Sequence, residues 1–270
     1  MDQVISLPTG ARTGATNGGE PAGNPVAEAV SLVSHEVRTP LTLIKGYVST
    51  LLHLPNLTDE ERRHYLLAIE QANDRLTHLV DNILDMSIID AGRLTLHPTE
   101  GFLDVLVRRT VRQMQAQTSD HLLRVASPRP LPALSFDAGR IEQVLVNLIG
   151  NAIKYAPEGG LIEVGLGLAG EWAEFGRPWR STAPPPRGPL QYVQVRDQGS
   201  GIPPEELPRL FDKFQRGSSR QHRAVRGAGI GLYICQAIVE AHHGAIWAEN
   251  RPGGGSCFTF CLPAAPVTGH

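Results

Sequence analysis

Two apolar runs, separated by Leu54-Pro55-Asn56, repeat at alternating three- and four-residue spacings, and they restrict the possible folds of this chain more than any other feature. The first passes through Val30, Val33, Val37, Leu41, Ile44, Val48 and Leu51, the second through Tyr65, Ile69, Ala72, Leu76, Leu79, Ile83 and Met86. Each is the stripe of an amphipathic helix. Asn24 before Pro25 offers the first helix an N-cap and a proline at its first position; Thr58 with Glu61 offers the second a capping box. The short break makes an antiparallel hairpin. One stripe per helix cannot enclose a core, so a second copy completing a four-helix bundle is the economical solution, and a homodimer is expected.

From Leu94 the period changes. Short β-like runs at Leu94–Leu96, Leu122–Ala126, Ile162–Leu168 and Tyr192–Arg196 alternate with helical stretches, and two closing strands, Ala245–Glu249 and Cys257–Leu262, follow. Helices are expected over Asp137–Tyr155 and about Ile230–His242. The chain thus reads as a flexible leader over 1–24, a helical hairpin over 25–92 and an α+β sandwich over 93–265. The stretch 169–190, with Pro184-Pro185-Pro186, cannot continue a ladder and reads as a protruding insertion. A hydrophobic content of 41% in 270 residues suffices for two cores. A net charge of -2 gives no broad attraction to nucleic acid. Cys235, Cys257 and Cys261 lack metal or CxxC spacing and read as buried thiols of a reducing, cytoplasmic compartment. No run approaches the roughly 18 apolar residues of a membrane span.

Chemistry first shows in Ser34-His35-Glu36-Val37-Arg38-Thr39-Pro40-Leu41. His35 falls two residues past Val33, about 200° around the helix from the apolar stripe, and so faces water. Pro40 removes a backbone donor and should bend the helix just beyond His35. A neutral imidazole is a nucleophile near pH 7, and Glu36 can accept its proton as the nitrogen attacks phosphorus. Thr39, at i+4, shares the face of His35, where its hydroxyl can orient a water or bond its own backbone.

A polar face marks the helix Gln143–Tyr155. Ile141, Leu145, Leu148 and Ala152 form its core stripe, while Asn147, Asn151 and Lys154 share an adjoining face. Amide oxygens suit Mg²⁺, which usually keeps waters and substrate phosphates as its other ligands, and Lys154 supplies a point charge for phosphate. Asp197-Gln198-Gly199-Ser200-Gly201-Ile202-Pro203 follows a strand, so its carboxylate can accept a hydrogen bond from an exocyclic amine where glycines allow close approach. Gly227-Ala228-Gly229-Ile230-Gly231-Leu232 opens a helix, placing free N–H groups at an anion site. It matches neither the P-loop spacing nor a parallel βαβ context.

The His35 segment resembles the phosphoacceptor H-box of the HisKA-type domain of sensor histidine kinases. The later segments resemble the N, G1, F and G2 boxes of the GHKL-type ATP-binding domain, with Leu210-Phe211-Asp212-Lys213-Phe214 as the F box and Gly253-Gly254-Gly255-Ser256 as the final glycine motif. The resemblance implies that His35 is phosphorylated, Glu36 is the general base and Thr39 assists dephosphorylation of a response regulator. It further implies that Asn147 and Asn151 hold Mg²⁺, and that ATP is bound by these two with Lys154, Tyr155, Asp197, Gly199, Gly201, Ile202, Phe214, Gly227, Gly229, Gly231, Leu232 and Ser256. A lid over 204–226 would bring Arg216, Arg220, Arg223 or Arg226 to phosphate. The implied partners are a second copy and the receiver domain of a response regulator, with no nucleic acid. ATP-hydrolysing members of the superfamily carry a Glu four residues before the Mg²⁺-binding Asn; here that position is Asn147, which lacks useful basicity. Kinase is therefore favoured over a GHKL ATPase or an ATP-binding pseudokinase scaffold.

Overall fold

The computed structural model describes residues 25–127, 129–176, 188–215 and 227–264. The leader, the Asn24 cap, Pro184-Pro185-Pro186 of the insertion and the lid residues Arg216, Arg220, Arg223 and Arg226 lie outside the described residues.

Helices α1 (Pro25–His53) and α2 (Asp59–Asp90) form the hairpin. α1 runs continuously through the buried Pro40. The capping box is present: Glu61 N–H donates to Thr58 Oγ1 at 3.2 Å, and Thr58 N–H donates to Glu61 Oε2 at 2.9 Å, so two donors at the helix start are satisfied. The Tyr47 and Tyr65 rings meet at 5.5 Å and fix the register of the two helices. A single hairpin leaves its stripe unfilled, with Leu41 50% and Leu84 56% exposed. α2 closes at Gly92, whose φ of +64° lets its N–H reach Ile89 O while Arg93 N–H reaches Ile88 O.

Beyond this joint, a five-stranded sheet of order β2-β4-β5-β7-β6 is built from β2 (His121–Ala126), β4 (Gly160–Ala169), β5 (Leu190–Arg196), β6 (Ala245–Asn250) and β7 (Ser256–Pro263). β2 and β4 are parallel and the other pairs antiparallel. Three helices, α3 (Leu103–Gln115), α4 (Ala138–Tyr155) and α5 (Gly231–Ala241), cover one face. Leu103, Ile141, Leu148, Ile234 and Ile238 pack there against Ile162, Val193 and Phe260, and all eight are essentially inaccessible. Burial of such side chains contributes ~1.5–3 kcal/mol each.

Three local expectations change. Leu94–Leu96 forms no strand beyond a bridge at Thr95; the pairing partner of β3 (Leu134–Phe136) is instead β1 (Thr99–Gly101). α3 is a helix the sequence pattern does not predict: Val105, Val107, Thr110 and Val111 are β-branched and Phe102 provides no side-chain cap. Burial of Leu103, Leu106, Val107, Thr110, Val111 and Met114 on one helical face outweighs those preferences. The beginning of the insertion does not protrude. Trp172 and Phe175, in a 3₁₀ turn, fold back onto the outer sheet face, 5.3 and 5.0 Å from the Trp247 ring.

α4 is pinned at its start. Asp137 caps it through Arg140 N–H and accepts a second bond from His97 N–H, while its own N–H donates to His242 Nε2 at 3.0 Å. His242 Nδ1 in turn donates to Ile238 O at 2.8 Å, so both ring nitrogens are committed in the neutral form. Burial is the main cause that lowers the pKa of His242 from its ordinary 6.5. Burial alone would raise Asp137, but the His97 and Arg140 N–H bonds and the neighbouring charges outweigh it, and its pKa is also lowered.

Between the folded and unfolded pKa of His242 the unfolded chain binds more protons, so stability is full above pH 6.5 and declines as pH falls through that interval. Asp137 adds a loss only below 3.8. Urea midpoints are expected to fall between about pH 7 and pH 5, and to fall less in His242→Gln, whose amide does not titrate. Identical slopes in the two proteins would contradict the assignment.

Candidate functional site

α4 and α5 meet the end of β5 beside the hairpin, and between them lies a cavity of about 1170 Å³, somewhat larger than the usual ligand pocket of about 300–1,000 Å³. Asn147, Asn151, Lys154 and Tyr155 from α4, and Asp197, Gly201 and Ile202 from the loop after β5, line it. Gly227, Gly229, Gly231 and Leu232 at the start of α5, and Ser256 at the start of β7, complete that wall. Glu36, Thr39, Pro40 and Arg75 line it from the hairpin. Gly199 and Phe214 are not among the lining residues. Gly199 packs beneath the loop, and Phe214 is half-buried against the core. His35 is exposed and also outside the lining.

The acid of the site is deeply held. Asp197 is 2% exposed; its Oδ1 accepts Gly199 N–H at 2.8 Å and Ser256 N–H at 3.0 Å, and its Oδ2 accepts the Ser256 hydroxyl. A carboxylate has about four acceptor sites, so these three bonds leave room for one more donor in the cavity. That fits recognition of an exocyclic amine by Asp197. The loop that follows is clamped by Asn250, which accepts Ile202 N–H and donates to Ile202 O, both at 2.7 Å, while Arg251 donates to Asp197 O at 2.6 Å. Neither Asn250 nor Arg251 was legible in sequence, since each pairs with a residue about fifty positions away.

At the other pole, α5 begins at Gly231 without a side-chain cap, leaving its first N–H groups for a ligand. Asn147 lies close against that start: a methyl added to Gly231 would be 3.2 Å from Asn147 Oδ1. Amide oxygens such as those of Asn147 and Asn151 suit a cation that shares its shell with water and phosphate. Lys154 lines the cavity and is flanked by protein on its other sides. That enclosure chiefly lowers its pKa, the charge of Arg75 lowers it further, and Glu36 opposes both. Thr39 Oγ1 donates to His35 O at 3.1 Å, the backbone-bonded alternative for this hydroxyl.

Two carboxylates on α2 fix the hairpin to the second domain. Asp85 accepts Arg140 at 2.8 Å on one oxygen and Gln143 Nε2 at 2.6 Å on the other. Asp90 Oδ1 accepts Tyr233 Oη at 2.8 Å and pairs with Lys213 at 2.6 Å. Lys213 Nζ also stands 4.9 Å from the Tyr233 ring centroid.

Two family profiles match the chain: "His Kinase A (phospho-acceptor) domain" over residues 26–92 and "Histidine kinase-, DNA gyrase B-, and HSP90-like ATPase" over 136–266. The chain is 33% identical over 232 residues to the sensor protein KdpD of Clostridium acetobutylicum, covering 86% of this chain and 24% of that protein. It therefore spans about a quarter of that relative's length. Full-length ShkA, solved in complex with AMPPNP, aligns over 90% of this chain and 47% of its own with a TM-score of 0.57 and 26% identity. ThkA, solved in complex with the response regulator protein TrrA, shares the fold at a TM-score of 0.58 and 24% identity over 90% of this chain and 63% of its own.

Two glycines test the packing around the cavity. A methyl on Gly199 would lie 2.2 Å from the Tyr155 carbonyl oxygen, whereas one on Gly150, inside α4, meets nothing within 4 Å. Gly199→Ala is expected to lower stability by ~1–3 kcal/mol, and Gly150→Ala to raise it by ~0.5–1 kcal/mol, both read from urea midpoints. The reverse order would disprove the contact at Gly199.

Proposed function

Because the chain belongs to the histidine kinase family, we propose that it uses ATP to phosphorylate His35 and passes the phosphoryl group to an aspartate on the receiver domain of a response regulator. The observation that carries this reading is the shared cavity: Glu36 and Thr39 of the phosphoacceptor helix face the same space as Asn147, Asn151, Lys154 and Asp197.

Asp197 selects the adenine amine with its remaining acceptor site, and the N–H groups at the start of α5, with Lys154, balance phosphate charge. Asn147 and Asn151 would hold Mg²⁺, which supplies charge neutralisation at the phosphates. The exposed His35 imidazole attacks the γ-phosphorus in line while Glu36 accepts its proton. His35 lies outside the cavity lining, so the ATP-binding domain swings against the hairpin before transfer, and the joint Ala91-Gly92-Arg93 is the hinge. Thr39 exchanges its bond to His35 O for a water when the regulator is dephosphorylated. A second copy covers the exposed Leu41, Leu52 and Leu84 in a four-helix bundle. No described helix is long and apolar enough to cross a membrane. The use of ATP in this reading and the buried free thiols support a cytoplasmic reaction.

Incubation with Mg²⁺ and γ-labelled ATP is expected to give an acid-labile, alkali-stable label that falls at least ~100-fold in His35→Gln. Equal labelling of the variant would refute His35 as the acceptor. Steady ATP turnover without label would identify a phosphohydrolase.

A further inference from the structure

Arg75 stands where the hairpin faces the phosphate end of the cavity. Arg75, His78, Asn82 and Asp85 follow one another at spacings of three, four and three, and all line the cavity, so they share one face of α2. Two independent registers fix the height of Arg75 on that face. Within the hairpin, the Tyr47–Tyr65 contact pairs the helices; eleven residues before Tyr47 is Glu36 and eleven after Tyr65 is Leu76. Arg75 is therefore level with the phosphoacceptor segment. Between the domains, Asp85 is bonded to Arg140 and Gln143. Ten residues back along α2 is Arg75 and eleven forward from Gln143 along α4 is Lys154. Both steps cover ~15–17 Å of helix.

Arg75 thus stands across the cavity from Lys154, and its charge depresses the pKa of Lys154, second only to burial. Among the described residues Arg75 forms no ion pair with a carboxylate. Two cations facing each other across a wet gap repel unless an anion lies between them, and a guanidinium with its fork of donors is suited to phosphate oxygens.

We propose that Arg75 is a phosphate ligand contributed by the hairpin: it binds the terminal phosphate of the nucleotide from the side opposite Lys154 and stabilises the charge on the phosphoryl group during transfer to His35. The inference rests on the kinase reading above. In that step the bond from the His35 imidazole nitrogen to the γ-phosphorus forms, the bond from that phosphorus to the bridging oxygen breaks, ADP leaves with the bonding pair and Glu36 takes the imidazole proton. Arg75 exchanges no atom. It contacts phosphate only when hairpin and ATP-binding domain are closed, so it couples closure to chemistry.

The test uses the full chain with Arg75→Ala, Arg75→Gln and Arg75→Lys, comparing the rate of label incorporation, the affinities for ADP and for a non-hydrolysable ATP analogue, and transfer from phosphorylated His35 to a receiver domain. Arg75→Ala and Arg75→Gln are expected to lose at least ~100-fold in labelling rate. They should weaken for the analogue more than for ADP, and Arg75→Lys should restore part of the rate. Transfer out of phosphohistidine should be unchanged. Wild-type labelling rates in Arg75→Gln, or parallel losses for ADP and the analogue, would overturn the inference. Wild-type protein that forms no acid-labile label would instead defeat the kinase reading, while the difference between the analogue and ADP would still decide whether Arg75 meets the terminal phosphate.

Discussion

Asp85 sets the geometry on which the functional reading depends. Its two oxygens are taken by Arg140 and Gln143, side chains one helical turn apart at the start of α4, so the hairpin is held in both position and rotation. Asp85 is mostly shielded from solvent, with a side-chain exposure of 13%, and there such a pair is screened less than on an open surface. Ile89, buried one turn on, and the Asp90 contacts to Tyr233 and Lys213 continue the attachment toward Gly92. Without this line of contacts Glu36 and Lys154 would belong to two surfaces; with it they belong to one cavity.

Much of this is legible in the sequence alone. Helical spacing and the Thr58–Glu61 capping box are local, so the hairpin could be read directly. The Asn147, Asn151 and Lys154 face follows from the same period, and the glycines before Leu232 from the need for free N–H groups. What was missed depends on partners distant in the chain. Asn250 and Arg251 act on residues 202 and 197, and α3 exists because the sheet offers its apolar face a place to pack. The start of the insertion differs from expectation for a similar reason: the prolines identify a departure from the ladder, but nothing nearby announces that Trp172 and Phe175 return to Trp247.

The position of His35 separates binding from transfer. Glu36 and Thr39 face the cavity while His35, one residue from Glu36, points into solvent. The arrangement explains how one site can serve two reactions of opposite direction. On the proposed function the same imidazole serves a nucleotide and a receiver domain in turn, and its open position suits both.

The His242 bridge has a mechanical consequence. It joins the first residue before α4 to the end of α5, whereas the ligand-facing groups are at the other ends of those helices, at Asn151 and Lys154 on one and Gly231 on the other. Because α4 and α5 also pack along their length, this contact at one end fixes the register of the two helices and with it the place of Asn147 against Gly231 at the other.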